Sequence, residues 1–361
     1  MKYKFLIYIS YSYAVPIGEP LEKEILRQGH SVKWFSELED GKSALSHKEN
    51  VLTIKQAVAY QPDIVLTATD DVADFLTGIK VQIFHGFFAQ KRPGKNNTFY
   101  HFRIRDFFDL YCTQGPNTTR VFKEKAQQYG FFRVEETGWS KVDPLFPLEE
   151  KTLTSIPTVM IASTFSQKLS LAYRQDVFDV VKNLSASGDY KFKMVLHPKL
   201  PTEIKEKWKN LSGDNFTYYN TTDLIPLFKQ ADFMFADTTS AIQEFILQKK
   251  PIVTFRHTIE HDYLLNVTEA KNISEAFKKA ANPSEKLLQN IENFIAELHP
   301  YYDGKSSARV INASINFLNS DKSDLKSKPF NFLRKYKVRK RLDYFPLKTY
   351  NKAYQIEKSK K

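Results

Sequence analysis

Cysteine is nearly missing: Cys112 stands alone in 361 residues. A disulfide framework within the chain is thereby excluded, and the usage suits a reducing, cytoplasmic setting. Long apolar runs are missing too. None approaches the roughly 20 residues that a membrane-crossing helix requires. Metal-ligand spacings are also lacking, with no CxxC, no HExxH and no convincing DxD-type loop. Asp70-Asp71 is an adjacent pair at a strand end and reads as a helix N-cap. The expected chemistry therefore uses no metal and no other cofactor. There is no internal repeat and no low-complexity segment.

What remains is an ordinary globular composition, 42% hydrophobic and 26% charged. The length suggests two domains, each with its own core. The charge is uneven. Residues 321–361 hold 14 Lys+Arg against 4 Asp+Glu, so they account for +10 of the net +12. The preceding 320 residues are almost neutral, which speaks against a nucleic-acid partner. The N-terminal FLIYISYSYAV has the outline of a weak signal peptide. It is rich in Tyr and Ser and lacks a small-x-small cleavage site, so residues 5–9 are expected as a buried parallel strand.

Strand and helix patterns alternate along the chain, which predicts α/β architecture with parallel sheets. Strands are expected at 5–9, 31–35, 63–69, 80–84 and 109–114. Helices are expected near 19–28, after a turn with Pro16 and Gly18, and near 50–60, 70–77 and 117–129. Residues 131–154 read as a crossover. A second series follows, with strands at 158–163, 191–197, 215–219, 232–237 and 251–255 and helices between them. Two such series predict two Rossmann-like domains facing a cleft: residues 1–150 on the acceptor side, and 151–320 holding a nucleotide donor. Ser284 opens an amphipathic helix with Leu287, Leu288, Ile291, Phe294, Ile295 and Leu298 at helical spacing. A last helix is expected near 306–318, before a basic, aromatic tail at 321–361.

Three places carry chemistry-bearing residues. In FMFADTTSAIQEF (233–245) a buried strand ends at Asp237, and Thr238, Thr239 and Ser240 fill the turn before a helix. Backbone N–H groups and hydroxyls at such a turn suit a diphosphate. Ser240-Ala241-Ile242-Gln243 also fits a capping box, and both roles can coexist. In VQIFHG (81–86), His85 ends a strand and can act as a base near neutral pH. In VLHPKLP (195–201), His197 does the same in the second series. A lone strand-end histidine is more often a packed loop residue; the three features together are more informative.

FHG (84–86), TGWSKVDPLF (137–146), VMIASTF (159–165), LHPK (196–199), DLIPLFKQADFMFADTTSAIQEFILQKKPIVTF (223–255) and DGKSSARV (303–310) follow one another in an order and spacing that resemble the CDP-glycerol glycerophosphotransferase family. The likeness covers about 80–315. It implies a GT-B fold and synthesis of teichoic-acid-type polymers. It implies His85 as the base and His197 beside the donor phosphates. Asp237, Thr238, Thr239, Ser240 and Glu244 become donor-binding residues, and Lys91 and Lys199 contacts to phosphate or acceptor. The chain departs from the family after His-Gly, where Thr-Pro-Leu-Lys is replaced by Phe87-Phe88-Ala89-Gln90-Lys91. It departs again at the Asp-Tyr-Ser-Ser turn, where Thr238 and Thr239 stand for Tyr and Ser.

The expected partners are CDP-glycerol or a related donor and a glycan or lipid-linked acceptor. The rival on the same fold is a nucleotide-sugar glycosyltransferase. Sugar 2-epimerases share the fold, but their His-x-Glu-x-Gly-type signature is absent. In the tail, six cations between Arg334 and Arg341 alternate with Phe330, Phe332, Leu333, Tyr336, Leu342, Tyr344 and Phe345. That mixture suits an anionic membrane surface, which predicts a peripheral protein on the inner face whose tail is separable from the folded body. A solvated charge run is the plainer alternative.

Overall fold

A computed structural model describes residues 1–88, 100–149, 156–346 and 349. The chain divides into two units. The first contains Met1–Phe88 and the described parts of Pro93–Phe146 and Leu298–Lys361; the second contains the described part of Pro147–Glu297.

The first unit is built on seven strands: β1 (Lys4–Ile9), β2 (Ser31–Ser36), β3 (Val51–Leu52), β4 (Ile64–Thr67), β5 (Ile79–Gln82), β6 (Leu110–Thr113) and β7 (Arg133–Glu136). They are all parallel, in the order β3-β2-β1-β4-β5-β6-β7. The second unit has β8 (Thr158–Ser163), β9 (Lys191–Leu196), β10 (Phe216–Tyr219), β11 (Phe233–Ala236), β12 (Ile252–Phe255) and β13 (Leu265–Val267). These are also parallel, ordered β10-β9-β8-β11-β12-β13. The central strands read as unbroken apolar runs because helices cover both faces. Phe5, Leu6, Ile7, Tyr8 and Ile9 are all buried, as are Val159, Met160, Ile161 and Ala162. Each sheet reverses its direction of growth once, between β1 and β4 and between β8 and β11. The carboxyl ends of the strands at such a switch point are where open α/β sheets hold ligands.

Several local expectations change. Pro16 and Gly18 lie inside the helix Val15–Arg27, not in a turn before it. Proline in the first helical turn forfeits no hydrogen bond. Gly18 is needed because a Cβ there would stand 2.3 Å from the Trp34 ring. Residues 70–77 form no helix. Asp70 and Asp71 therefore cap nothing; they pair with Arg105 and Arg341, each at 2.9 Å. The crossover at 131–154 contains β7, whose sequence RVEE hides a strand because it lies at the sheet edge with only Val134 buried.

From Leu298 the chain belongs to the first unit, ahead of the boundary at 320 drawn from the sequence. Two of the signature motifs form the clasp that holds it there. The Asp143 carboxylate accepts the Ser306 and Ser307 N–H groups at 2.8 and 2.7 Å, capping the helix Ser306–Asn319 from a distant segment. The Trp139 N–H donates to His299 Nε2 at 3.1 Å. Gly138 sits between these partners at φ +77, and a Cβ there would meet Ser306 Oγ at 2.4 Å. Burial lowers the His299 pKa to about 4, so its ring is neutral and its Nε2 remains an acceptor.

The described tail packs on the first unit. The helix Phe332–Arg341 buries Val338 and Arg339 against the first unit. Arg339 pairs with Asp74 at 2.8 Å and lies over the Phe75 ring. Arg334 pairs with Asp106, Lys328 with Asp109, and Arg341 with Glu37 and Asp71. The matching acids are scattered through the first 110 residues, so no local pattern reveals them.

Candidate functional site

His85 is set out by its own turn. After β5 the chain buries Ile83 and Phe84, then exposes His85. Phe84 takes φ +56, a left-handed conformation that a bulky side chain adopts only when its surroundings force it. Those surroundings are visible. The Trp139 Nε1–H donates to the Phe84 carbonyl at 3.2 Å, and the Gln114 Nε2–H donates to the Gly86 carbonyl at 2.7 Å. The turn is thus pinned before and after His85, at Phe84 by the clasp and at Gly86 by the residue that follows β6.

The imidazole Nδ1 lies 3.3 Å from the Ala68 carbonyl oxygen. A carbonyl only accepts, so Nδ1 carries a proton, and in the neutral ring Nε2 is the atom with the lone pair. Tyr13 packs against the ring with centroids 6.0 Å apart, and burial raises its phenol to about 12, which keeps it a neutral donor.

In the second unit, His197 follows β9. Its Nδ1 accepts the Lys199 N–H at 3.1 Å, so the neutral ring carries its proton on Nε2. Phe165, in the loop after β8, packs on His197 at 4.7 Å, and the exposed Lys199 ammonium stands 5.5 Å over the same Phe165 ring.

Asp237 occupies the switch point between β8 and β11. It is fully buried. Its carboxylate accepts from Ser163 Oγ (2.5 Å), Thr164 N–H (2.9 Å) and Leu171 N–H (2.9 Å). A carboxylate saturated this way fixes the two loops beside it. Thr238 is also buried, and its hydroxyl accepts the Thr258 N–H at 3.2 Å, tying in the segment after β12. Glu244 is buried within Ala241–Phe245. Asp237 and Thr238, expected as donor contacts, thus also serve as scaffold, holding the loops beside the turn. Thr239 is partly exposed and Ser240 exposed.

The capping box expected at Ser240 does not form; its side chain makes no capping bond. The helix after it has only five residues, so its dipole is short. Lys91 lies outside the described residues. Among the described residues no three His, Cys, Asp or Glu side chains gather as metal ligands, and no helix is long and apolar enough to cross a membrane.

Sequence reasoning found His85, His197, Thr239 and Ser240 at the carboxyl edges of their sheets. It missed what orients them. Trp139 and Phe165 lay within recognised motifs, but Gln114 and Tyr13 carry no local signal.

No protein-family profile and no curated protein matches the chain. Solved structures do. The wall teichoic acid polymerase TagF superposes with a TM-score of 0.63 at 13% identity, covering 87% of this chain and 88% of that one. The fold is of the GT-B type. UDP-GlcNAc 2-epimerase from Neisseria meningitidis, bound to UDP-GlcNAc, gives 0.59 at 13%, covering 86% and 99%. MnaA of S. aureus with UDP gives 0.60 at 15%, covering 91% and 99%. Identities this low establish the GT-B fold; the reaction has to be argued from the residues.

Proposed function

We propose that this GT-B chain is a transferase that moves glycerol phosphate, or a similar polyol phosphate, from a CDP-linked donor to a hydroxyl of a cell-surface glycan or lipid-linked acceptor. The observation that carries the reading is the orientation of His85. A strained, doubly pinned turn holds its ring in solvent with Nδ1 on a carbonyl, so that Nε2 is the atom the neutral ring offers as a base. Strain maintained at one exposed histidine fits a positioned general base.

In the proposed step, His85 Nε2 takes the proton of the acceptor hydroxyl. The hydroxyl oxygen bonds to the β-phosphorus, and the bond from that phosphorus to the CMP oxygen breaks. CMP leaves with the electron pair. On the donor side, His197 supplies Nε2–H to a phosphate oxygen, and Thr239, Ser240 and Lys199 add donors and positive charge. Positioning and electrostatic stabilisation are the main demands of phosphoryl transfer, and these groups meet them without a nucleophile of the protein's own. The shared fold with a wall teichoic acid polymerase, one of whose structures is a CDPG soak, supports the cytidine donor.

The uridine ligands of the other two relatives support the rival, a nucleotide-sugar glycosyltransferase. A ligand panel separates them. CDP-glycerol or CDP-ribitol is expected to raise the melting temperature more than UDP-GlcNAc does, and CMP to compete for the site better than UMP. A clear uridine preference would replace polyol-phosphate transfer by sugar transfer.

A further inference from the structure

The helix Phe332–Arg341 has two faces of opposite character. Arg334, Lys335, Val338, Arg339 and Leu342 turn toward the body, and their spacing follows one side of a helix. Phe332, Leu333, Tyr336, Lys337 and Lys340 turn outward and are exposed. Phe330 and Phe345 extend the outer face at its two ends. Ring centroids run Phe330 to Phe332 at 6.3 Å, Phe332 to Tyr336 at 6.2 Å, and Tyr336 to Phe345 at 6.0 Å. Leu333, 72% exposed, projects beside this row. Five of the thirteen exposed large apolar side chains among the described residues therefore sit within one short segment. A soluble surface does not concentrate its apolar groups in this way without an occupant.

We propose that this outer face is a docking surface for an anionic lipid bilayer, held at a fixed angle by the inner face. Three observations choose the occupant. Apolar rings interleaved with ammonium groups match the layered chemistry of the headgroup region, where rings sink and cations stay with phosphate. Lys337 and Lys340 share the exposed face and make no ion pair among the described residues, unlike Arg334, Arg339 and Arg341 of the same helix. A second copy of the same surface would set these cations against each other, whereas anionic headgroups neutralise them. The inner clamp removes the cost of ordering the helix at the membrane, because Arg339 to Asp74 and Arg341 to Glu37 and Asp71 already fix it. Asp71 follows Ala68, the partner of the His85 ring, by three residues, so the clamp ties the docking helix to the loop that orients the base. The inference does not depend on which nucleotide the donor carries.

Sedimentation of the full chain with vesicles tests it. Phosphatidylglycerol-rich vesicles should carry the protein down at low salt, and pure phosphatidylcholine vesicles should carry down far less. The variant Phe332→Gln, Leu333→Gln, Tyr336→Gln should partition about ten-fold more weakly, since each ring or leucine contributes its buried apolar area. Lys337→Gln, Lys340→Gln should weaken binding to the anionic vesicles and flatten its salt dependence. All five side chains are exposed, so both variants should melt with the wild type. Wild-type partitioning by the triple variant would overturn the proposal. So would equal binding to both vesicle types, or self-association that the triple variant abolishes in a protein that ignores vesicles.

Discussion

His85 and His197 occupy equivalent places, each just past the carboxyl end of a buried parallel strand, yet they offer opposite atoms. His85 donates its Nδ1–H to a carbonyl, which makes Nε2 the lone-pair atom of the neutral ring; His197 accepts a backbone N–H at Nδ1 and carries its proton at Nε2. The partner at one ring nitrogen sets the chemistry of the other. A third strand end, Asp237, turns inward and becomes scaffold. Position at a strand end therefore marks a candidate, and the hydrogen bonds around it decide between base, donor and structural pin.

The largest expected effect lies at the base. His85→Ala should lower turnover by about 10²–10⁴-fold while donor affinity changes little, because the ring acts on the acceptor. The exposed ring contributes little packing, so the variant should melt close to wild type. His197→Ala should split the other way, with donor affinity falling together with turnover. If both variants lose donor affinity equally and neither loses turnover at saturation, the division of roles is wrong.

Asp237 should behave as neither. Asp237→Ala removes the acceptor for one buried hydroxyl and two backbone N–H groups at once. The expected loss is about 3 kcal/mol of stability, since each orphaned buried donor costs about 1–3 kcal/mol and local relaxation recovers part. Asp237→Asn keeps the shape, and Ser163 can rotate to accept from the new amide. One N–H still faces an N–H, so an intermediate loss is expected in chemical denaturation. Wild-type stability with abolished donor binding would return Asp237 to the direct contact role that its burial argues against.

The sheets were legible because strands buried on both faces are apolar along their centres, as FLIYI and VMIA are. The strand Arg133–Glu136 was not, because an edge strand needs only one buried side chain. The carboxyl-end histidines were legible because a buried strand must stop somewhere, and His85 and His197 mark the stops. The clasp of Asp143 on Ser306 and Ser307 was visible only as two separate motifs, since capping across 163 residues has no local spacing. The tail misled for the same reason. Its excess charge looked unmatched in the sequence, while Asp74, Asp106, Asp109 and Glu37 waited far upstream. Local patterns report periodicity and turns; ion pairs closed by the fold stay silent until the chain is folded.

The smallest expected effect sharpens the contrast within a single turn. Asp237 and Thr238 face inward, whereas Thr239 is partly exposed and Ser240 exposed without a capping bond. If the outward pair meets the donor, Thr239→Ala with Ser240→Ala should weaken binding of a nucleoside diphosphate donor by about five- to ten-fold, or roughly 1 kcal/mol, the usual worth of hydroxyl hydrogen bonds exchanged against water. Cytidine itself, which has no phosphate, should bind the variant almost as it binds wild type. Stability should hardly move, because Ser240 contributes no cap and the weak Thr239 hydroxyl contact to Ala241 N–H, at 3.5 Å, is the only one forfeited among the hydrogen bonds of that pair. Titration calorimetry with both ligands reads the difference directly. Equal weakening for cytidine and for the diphosphate would assign these hydroxyls to the shape of the turn and leave His197 and Lys199 as the phosphate contacts.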